Sequence, residues 1–394
     1  MYGYSKVRSD AVKRESKTVR IQERFRSLTA SDGPAMQRSP ECSSSILQCR
    51  IAATSRPLIS WLILIALGLP VLEALMAHAE EAQLHFGSQL ILDACWSPEG
   101  LRGSPEDRRI TRTNAAMSRP APGRTLPKHA LEALPAELQD SIRSVEPLRN
   151  LKLVALTFDL CEGNGEITGY DADIVNYLRS NKVRATFFAS GKWLHSHPEK
   201  AMQLMADPLF EIGNHGWSHR NFRTLDSQRI AEEVLWTQAQ VEVLWEELAK
   251  KPCVKSVPLD ELTKIPRVPL TFRFPYGTCN PGALDFLARS GLPAIQWNVV
   301  TGDAAPKQTA VAISRVILEQ TRPGSIIICH ANGRGHASGE ALPLFIPKLR
   351  QTGYEFVTVS ELLASGPVRA VSECYEIRPG DNLRYDRTSG GRKK

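Results

Sequence analysis

Residues 151–160 read LKLVALTFDL: apolar at most positions, with an acid, Asp159, near the far end. A continuous apolar run of this length suits a strand buried on both faces, as in a parallel sheet. Working outward, strands and helices alternate. GYDADIVNYLRSNK (169–182) has helical spacing, VRATFFAS (183–190) reads as a strand, HPEKAMQLMAD (197–207) as a helix opened by proline, and FEIGNH (210–215) as a strand. SQRIAEEVLWTQAQVEVLWEELAKK (227–251) is a long amphipathic helix carrying Trp236 and Trp245 on its core side. TFRFPYG, PAIQWNVV and SIIICH follow as strands, VAISRVILEQ and FIPKLRQT as helices, and YEFVTVSELL as a last strand and helix start. This alternation predicts an α/β fold with parallel strands, whose reactive side chains gather where strands end. Asp159, Glu162, His215, Arg273, Asp303 and His330 all fall at such ends.

His215 and His219, in NHGWSH (214–219), are two of nine histidines and sit four apart. On a helical turn that spacing puts both imidazoles on one side, within reach of one ion. Spacing alone favours chance, so the other strand ends decide.

The chain has 394 residues and 42% hydrophobic residues, enough for a sizeable core. Its net charge of +7 is concentrated at the N-terminus. Residues 1–57 hold eleven Lys/Arg against five Asp/Glu, and the rest is nearly neutral. No nucleic-acid motif accompanies that charge, so nucleic acid is not an expected partner. LISWLILIALGLPVL (58–72) carries no charge, follows Arg50 and Arg56, and precedes Ala77-His78-Ala79. This pattern predicts an export signal over 58–79, with an uncleaved membrane anchor as the alternative. The expected location is periplasmic or extracellular, with membrane contact only through this segment if it is kept. Residues 1–57 are expected to be a disordered basic tail, with residues 1–50 alternatively the product of an upstream start codon. Residues 80–150 read as an extension and linker: GSQLILDACW (87–96) as a short strand, Ser97–Lys128 as a surface linker, Glu132–Val145 with helical spacing. Residues 366–394 read as a tail. Six cysteines follow the apolar segment, and their pairing is not deducible from sequence.

In TFDLCEG (157), ATFFASGKW (185), GNHGWSH (213), FRFPYG (272), QWNVVTGD (296) and IIICHANG (326), the chain resembles the polysaccharide deacetylases, which include chitooligosaccharide deacetylases of the nodulation type. The resemblance covers about residues 150–365, and a catalytic domain is expected over 151–365. It implies a distorted, incomplete (β/α) barrel and removal of N-acetyl groups from a polysaccharide or oligosaccharide: chitooligosaccharide, peptidoglycan or exopolysaccharide. By position it implies Asp159 as base, His215 and His219 as ligands of a divalent metal, most often zinc, and Arg273 as the partner orienting the base. It further implies an oxyanion contact from the Tyr276 backbone and His330 as acid. Such chemistry suits amide hydrolysis, which needs an activated water, a polarised carbonyl and a protonated leaving nitrogen.

Two departures stand out. The family's second aspartate, a metal ligand, is replaced by Leu160. The third ligand is then expected to be Glu162, with Cys161 or water as alternatives, and a Cys161–Cys279 disulfide equally open. An aspartate expected three residues after Trp297 is Val300, leaving Asp303 as the matching acid. Arg334 and His336 either meet an anionic sugar substituent or decorate a loop. Trp193 and Trp217 are expected in the core rather than under a sugar. These departures keep two competitors in view: a glycan-binding relative without hydrolysis, and an O-deacetylase or amidase on another substrate.

Overall fold

The computed structural model describes residues 86–114 and 121–389. The expected tail over 1–57 and export segment over 58–79 lie outside the described residues. Among the described residues no helix is long and apolar enough to cross a membrane.

The strands, in chain order, are β1 Thr111–Arg112, β2 Ser141–Val145, β3 Leu153–Leu160, β4 Glu166–Ile167, β5 Ala185–Ala189, β6 Phe210–Asn214, β7 Val299–Val300, β8 Ser325–His330, β9 Glu355–Val357 and β10 Val368–Val371. All eight residues of β3 are buried. The main sheet runs β10-β2-β8-β3-β5-β6, with β7 beside β8 and β9 beside β3. β8, β3, β5 and β6 are mutually parallel, while β2 and β10 are antiparallel additions. Beyond β6 the sheet continues only as single parallel bridges: Asn214 to Phe272, Phe272 to Ala294, and Ile295 back to Ile142 of β2. The result is a mixed α/β fold curled into an incomplete, distorted barrel, as expected, with the region of residues 272–295 held by bridges rather than ladders.

The 24-residue helix Ser227–Lys250 is capped by Asp226, whose side chain accepts from Arg229 N, and stops before Pro252. Ile230, Val234, Val241, Leu244 and Leu248 form its buried face. Trp193 and Trp217 are buried, as expected.

Three readings are corrected. GSQLILDACW is not a strand; Gln89–Cys95 is a helix whose cap, Ser88, accepts from Ile91 N. Its sequence lacks the alternation a strand needs, and a serine cap starts a helix locally. Glu132–Val145 is not a helix: a 3-10 turn at Ala136–Leu138 follows Pro135, and Ser141–Val145 is strand β2, recruited by pairing with β8 and β10. Tertiary pairing here overrides local spacing. Residues 366–389 are not a loose tail, since they supply β10 and a disulfide from Cys374 to Cys279. A second disulfide joins Cys95 to Cys253, which leaves Cys161 and Cys329 outside disulfides and rules out the Cys161–Cys279 pairing. The stretch expected as a linker is tied down as well: Arg124 forms salt bridges to Glu242 and Glu246 of the long helix.

Candidate active site

β3 and β8 lie side by side in register, and the pairing places Asp159 directly opposite His330. The two groups expected to act as base and acid therefore leave adjacent parallel strands at their carboxyl ends, the usual position for such side chains in barrels of this kind.

Each is held by its own partner. Arg273 is fully buried and donates from Nη1 to Asp159 Oδ1 at 2.9 Å and to Thr157 Oγ1 at 2.7 Å. Nε and Nη2 reach the carbonyls of Ile295 and Gln296, both at 3.3 Å. Its guanidinium also lies 4.0 Å from the Phe188 ring centre. Burial pushes the Asp159 carboxyl up, but Arg273, His215 and His330 together outweigh it and hold the group below its ordinary range. Asp159 is thus kept ionised. On the other side, Asp303 accepts from His330 Nδ1 at 2.9 Å, from His330 N at 2.6 Å and from Ser338 Oγ at 2.7 Å. Burial pushes His330 towards the neutral form, yet Asp303 and Cys161 prevail and raise its pKa well above the usual histidine value. Asp303 does reach His330, and Ser338, which no motif singles out, buttresses it.

The His215–His219 pair sits beside Asp159. His215 is buried, and its Nδ1 lies 2.9 Å from the Arg273 carbonyl, which as acceptor fixes the proton on Nδ1 and leaves Nε2 as a lone-pair donor. Nε2 lies 3.6 Å from Asp159 Oδ2 and 3.5 Å from Cys161 Sγ. Burial lowers the pKa of His215, but Asp159 and Cys161 more than reverse this. His219 occupies the left-handed region at φ 52°, where non-glycine residues are rare and tend to mark functional geometry. Its ring packs 5.0 Å from that of His215 and 4.5 Å from that of Tyr276. Tyr276 is likewise left-handed, at φ 58°, and its ring meets Tyr385 from the C-terminal segment at 4.9 Å.

The donor atoms of Cys161, His215 and His219 lie within 4.8 Å of one another, and so do those of Asp159, Cys161 and His330. Cys161 belongs to both groups. Burial raises its thiol pKa, yet His219 and His215 bring it well below the ordinary value. Glu162, the expected third ligand, joins neither group. Its carboxylate accepts from Ser196 Oγ at 2.6 Å and Thr168 N at 3.0 Å, so it braces the loop after β3. Leu160 is buried in the core. Arg334 pairs with Glu166, and His336 N donates to the Asp303 carbonyl at 2.7 Å, so these two are tied into the loop after β8.

Residues 149–254 match the family described as polysaccharide deacetylase. Over these residues the chain is similar to the polysaccharide deacetylases. It is 25% identical to the peptidoglycan-N-acetylglucosamine deacetylase PgdA of Listeria monocytogenes, over 67% of this chain and 48% of that protein. It is 28% identical to a peptidoglycan-N-acetylglucosamine deacetylase of Bacillus cereus, over 55% of this chain and 70% of that protein. The peptidoglycan-N-acetylmuramic acid deacetylase PdaC of Bacillus subtilis is 28% identical over 60% of this chain and 42% of its own length. The chain thus spans about half the length of the first of these relatives. Among solved structures, the Bc1960 peptidoglycan N-acetylglucosamine deacetylase superposes with a TM-score of 0.46 at 26% identity, over 58% of this chain and 94% of that one.

Proposed function

We propose that the protein is a divalent-metal-dependent hydrolase that removes N-acetyl groups from a cell-wall-type glycan, with peptidoglycan its leading substrate. The observation that carries this reading is the pairing of Asp159 with His330 on adjacent strands, each backed by an opposite charge, beside two histidines with converging donors. A divalent cation held by His215 and His219, zinc by preference, would polarise the amide carbonyl and a water. The residues fit it: His215 carries its proton on Nδ1 and turns Nε2 inward, and soft and borderline donors surround the spot.

The chain's own groups divide the proton transfers. Asp159 Oδ1 is occupied by Arg273, so Oδ2 is the oxygen that accepts a proton from the attacking water. His330 Nδ1 is occupied by Asp303, so Nε2–H is the donor to the departing nitrogen. The Tyr276 backbone N–H is proposed to meet the developing oxyanion, a contact of about 3 kcal/mol in such sites. Relatives named for peptidoglycan support that substrate class. The two disulfides support an oxidising location outside the cytoplasm, in keeping with the export signal expected at 58–79.

The test is acetate release by the full chain from N-acetylated peptidoglycan fragments, chitooligosaccharides and O-acetylated xylan, with Asp159→Asn and His330→Ala alongside. Release from the N-acetylated glycans that falls by at least about 100-fold in both variants supports the reading. Glycan binding without acetate from any of them would establish the non-hydrolytic alternative, and release from xylan alone would make the protein an O-deacetylase.

A further inference from the structure

Accepting a metal at His215 and His219 leaves open what replaces the missing family aspartate, since Leu160 is buried in the core and Glu162 is turned to Thr168 and Ser196. Cys161 directly follows the end of β3, and its sulfur lies within 4.8 Å of donor atoms of both Asp159 and His330. The backbone at 161 is pinned: its carbonyl accepts from Thr168 Oγ1 at 2.8 Å and Asn332 Nδ2 at 2.6 Å. The side chain is 6% exposed and in no disulfide, while four other cysteines are paired.

Distance gives a sharper argument. Around a tetrahedral zinc, a Zn–S bond of about 2.3 Å and a Zn–N bond of about 2.05 Å set sulfur and nitrogen about 3.5 Å apart. Cys161 Sγ and His215 Nε2 are 3.5 Å apart, with His219 completing a group whose donors all lie within 4.8 Å. We infer that Cys161 is the third protein ligand, so that the centre is a two-imidazole, one-thiolate site for a thiophilic divalent cation such as Zn²⁺. Three protein ligands leave a fourth position open, as in catalytic rather than structural zinc sites. A thiolate also shifts preference towards Zn²⁺ and away from Mn²⁺ and Mg²⁺, for which carboxylate oxygen is the better donor.

A plain thiol–imidazole hydrogen bond has a similar separation, so the measurement must see the metal–sulfur bond itself. Apoprotein of the full chain is loaded with Co²⁺, and the near-ultraviolet sulfur-to-cobalt charge-transfer band is recorded for wild type, Cys161→Ser, Glu162→Gln and His215→Ala. Zn²⁺ affinity is measured by chelator competition. The expected result is a band in wild type and Glu162→Gln that is absent in Cys161→Ser, with Zn²⁺ affinity in Cys161→Ser weaker by at least about 100-fold, the upper end of the effect of losing a group behind a ligand. Wild-type protein that binds Co²⁺ through His215 but shows no sulfur band overturns the thiolate and leaves the metal reading standing; this outcome requires no variant to fold. Loss of metal in Glu162→Gln with retention in Cys161→Ser overturns it in favour of the carboxylate. No metal bound by wild type, or binding unchanged in His215→Ala, overturns both the thiolate and the metal centre beneath it.

Discussion

The buried pair Asp159–Arg273 allows a sharp prediction, because its two charges have almost no solvent to fall back on. Arg273 is 0% exposed and Asp159 is 3% exposed. Replacing Arg273 with methionine keeps most of the apolar contact with Phe188 but removes every donor. Asp159 then keeps His215 Nε2 at 3.6 Å and loses its 2.9 Å charge-assisted bond, Thr157 Oγ1 loses a donor, and two carbonyls lose long bonds. Removing one partner of a buried ion pair strands the other charge, a loss of about 3–5 kcal/mol. Asp159→Asn strands the guanidinium instead and should destabilise by a similar order. In Arg273→Met/Asp159→Asn neither charge is left alone, so the double variant should be less destabilised than the sum of the singles, with a coupling of about 1–3 kcal/mol. The assay is urea unfolding of apoprotein for all four forms, with unchanged m-values confirming that the same transition is compared. A loss below about 1 kcal/mol in Arg273→Met, or strict additivity in the double variant, would show that solvent or neighbouring groups already neutralise Asp159, and the pairing argument would fail.

Other outcomes follow from the same geometry. Asp303→Asn removes the charge that opposes burial at His330, so the imidazolium is lost at lower pH. The basic limb of the pH–rate profile should move down, with kcat reduced by about 10²- to 10⁴-fold; an unmoved limb would separate His330 from the rate. Cys279→Ser/Cys374→Ser opens a covalent link between residues 95 apart in sequence and should lose about 2–5 kcal/mol in denaturant unfolding; a stability equal to wild type would show that β10 and its neighbours hold the segment without the bond. Burial raises the carboxyl pKa of Glu211, against hydrogen bonds from Ser360, Thr186 and Thr271 that work to lower it. A folded pKa above the unfolded one stabilises fully below the ordinary carboxylate range and less as pH climbs through the raised value. Wild-type stability should therefore fall relative to Glu211→Gln as pH rises across that window, and parallel pH curves would contradict the assignment.

The parallel strands were legible because burial on both faces writes a continuous apolar run, and β3, β5 and β8 show it plainly. The strand ends could be read for a related reason: a charged residue closing such a run, as Asp159 and His330 do, needs a partner, and Arg273 and Asp303 stood at other strand ends to supply one. Segments whose structure depends on distant pairing were not legible. Ser141–Val145 carries helical spacing yet becomes β2 because β8 and β10 offer edges, and residues 366–374 look like a tail until Cys374 meets Cys279.

Glu162 offers the expected carboxylate chemistry two residues beyond the vacant position, yet its oxygens accept from Thr168 N and Ser196 Oγ, and it joins neither donor group around His215 and His330. Leu160 packs in the core, and the Cys161 thiol lies beside the two histidines and Asp159. With a thiolate at 161, the net charge of the ligand set is the same as with aspartate, but the set changes from hard to soft. Restoring aspartate at position 160 would place a carboxylate where a core leucine now packs. Leu160→Asp should then cost stability by burying a charge among apolar side chains before it could add a ligand, and a folded, more tightly metal-binding Leu160→Asp protein would show that the end of β3 can rotate to bring residue 160 to the site.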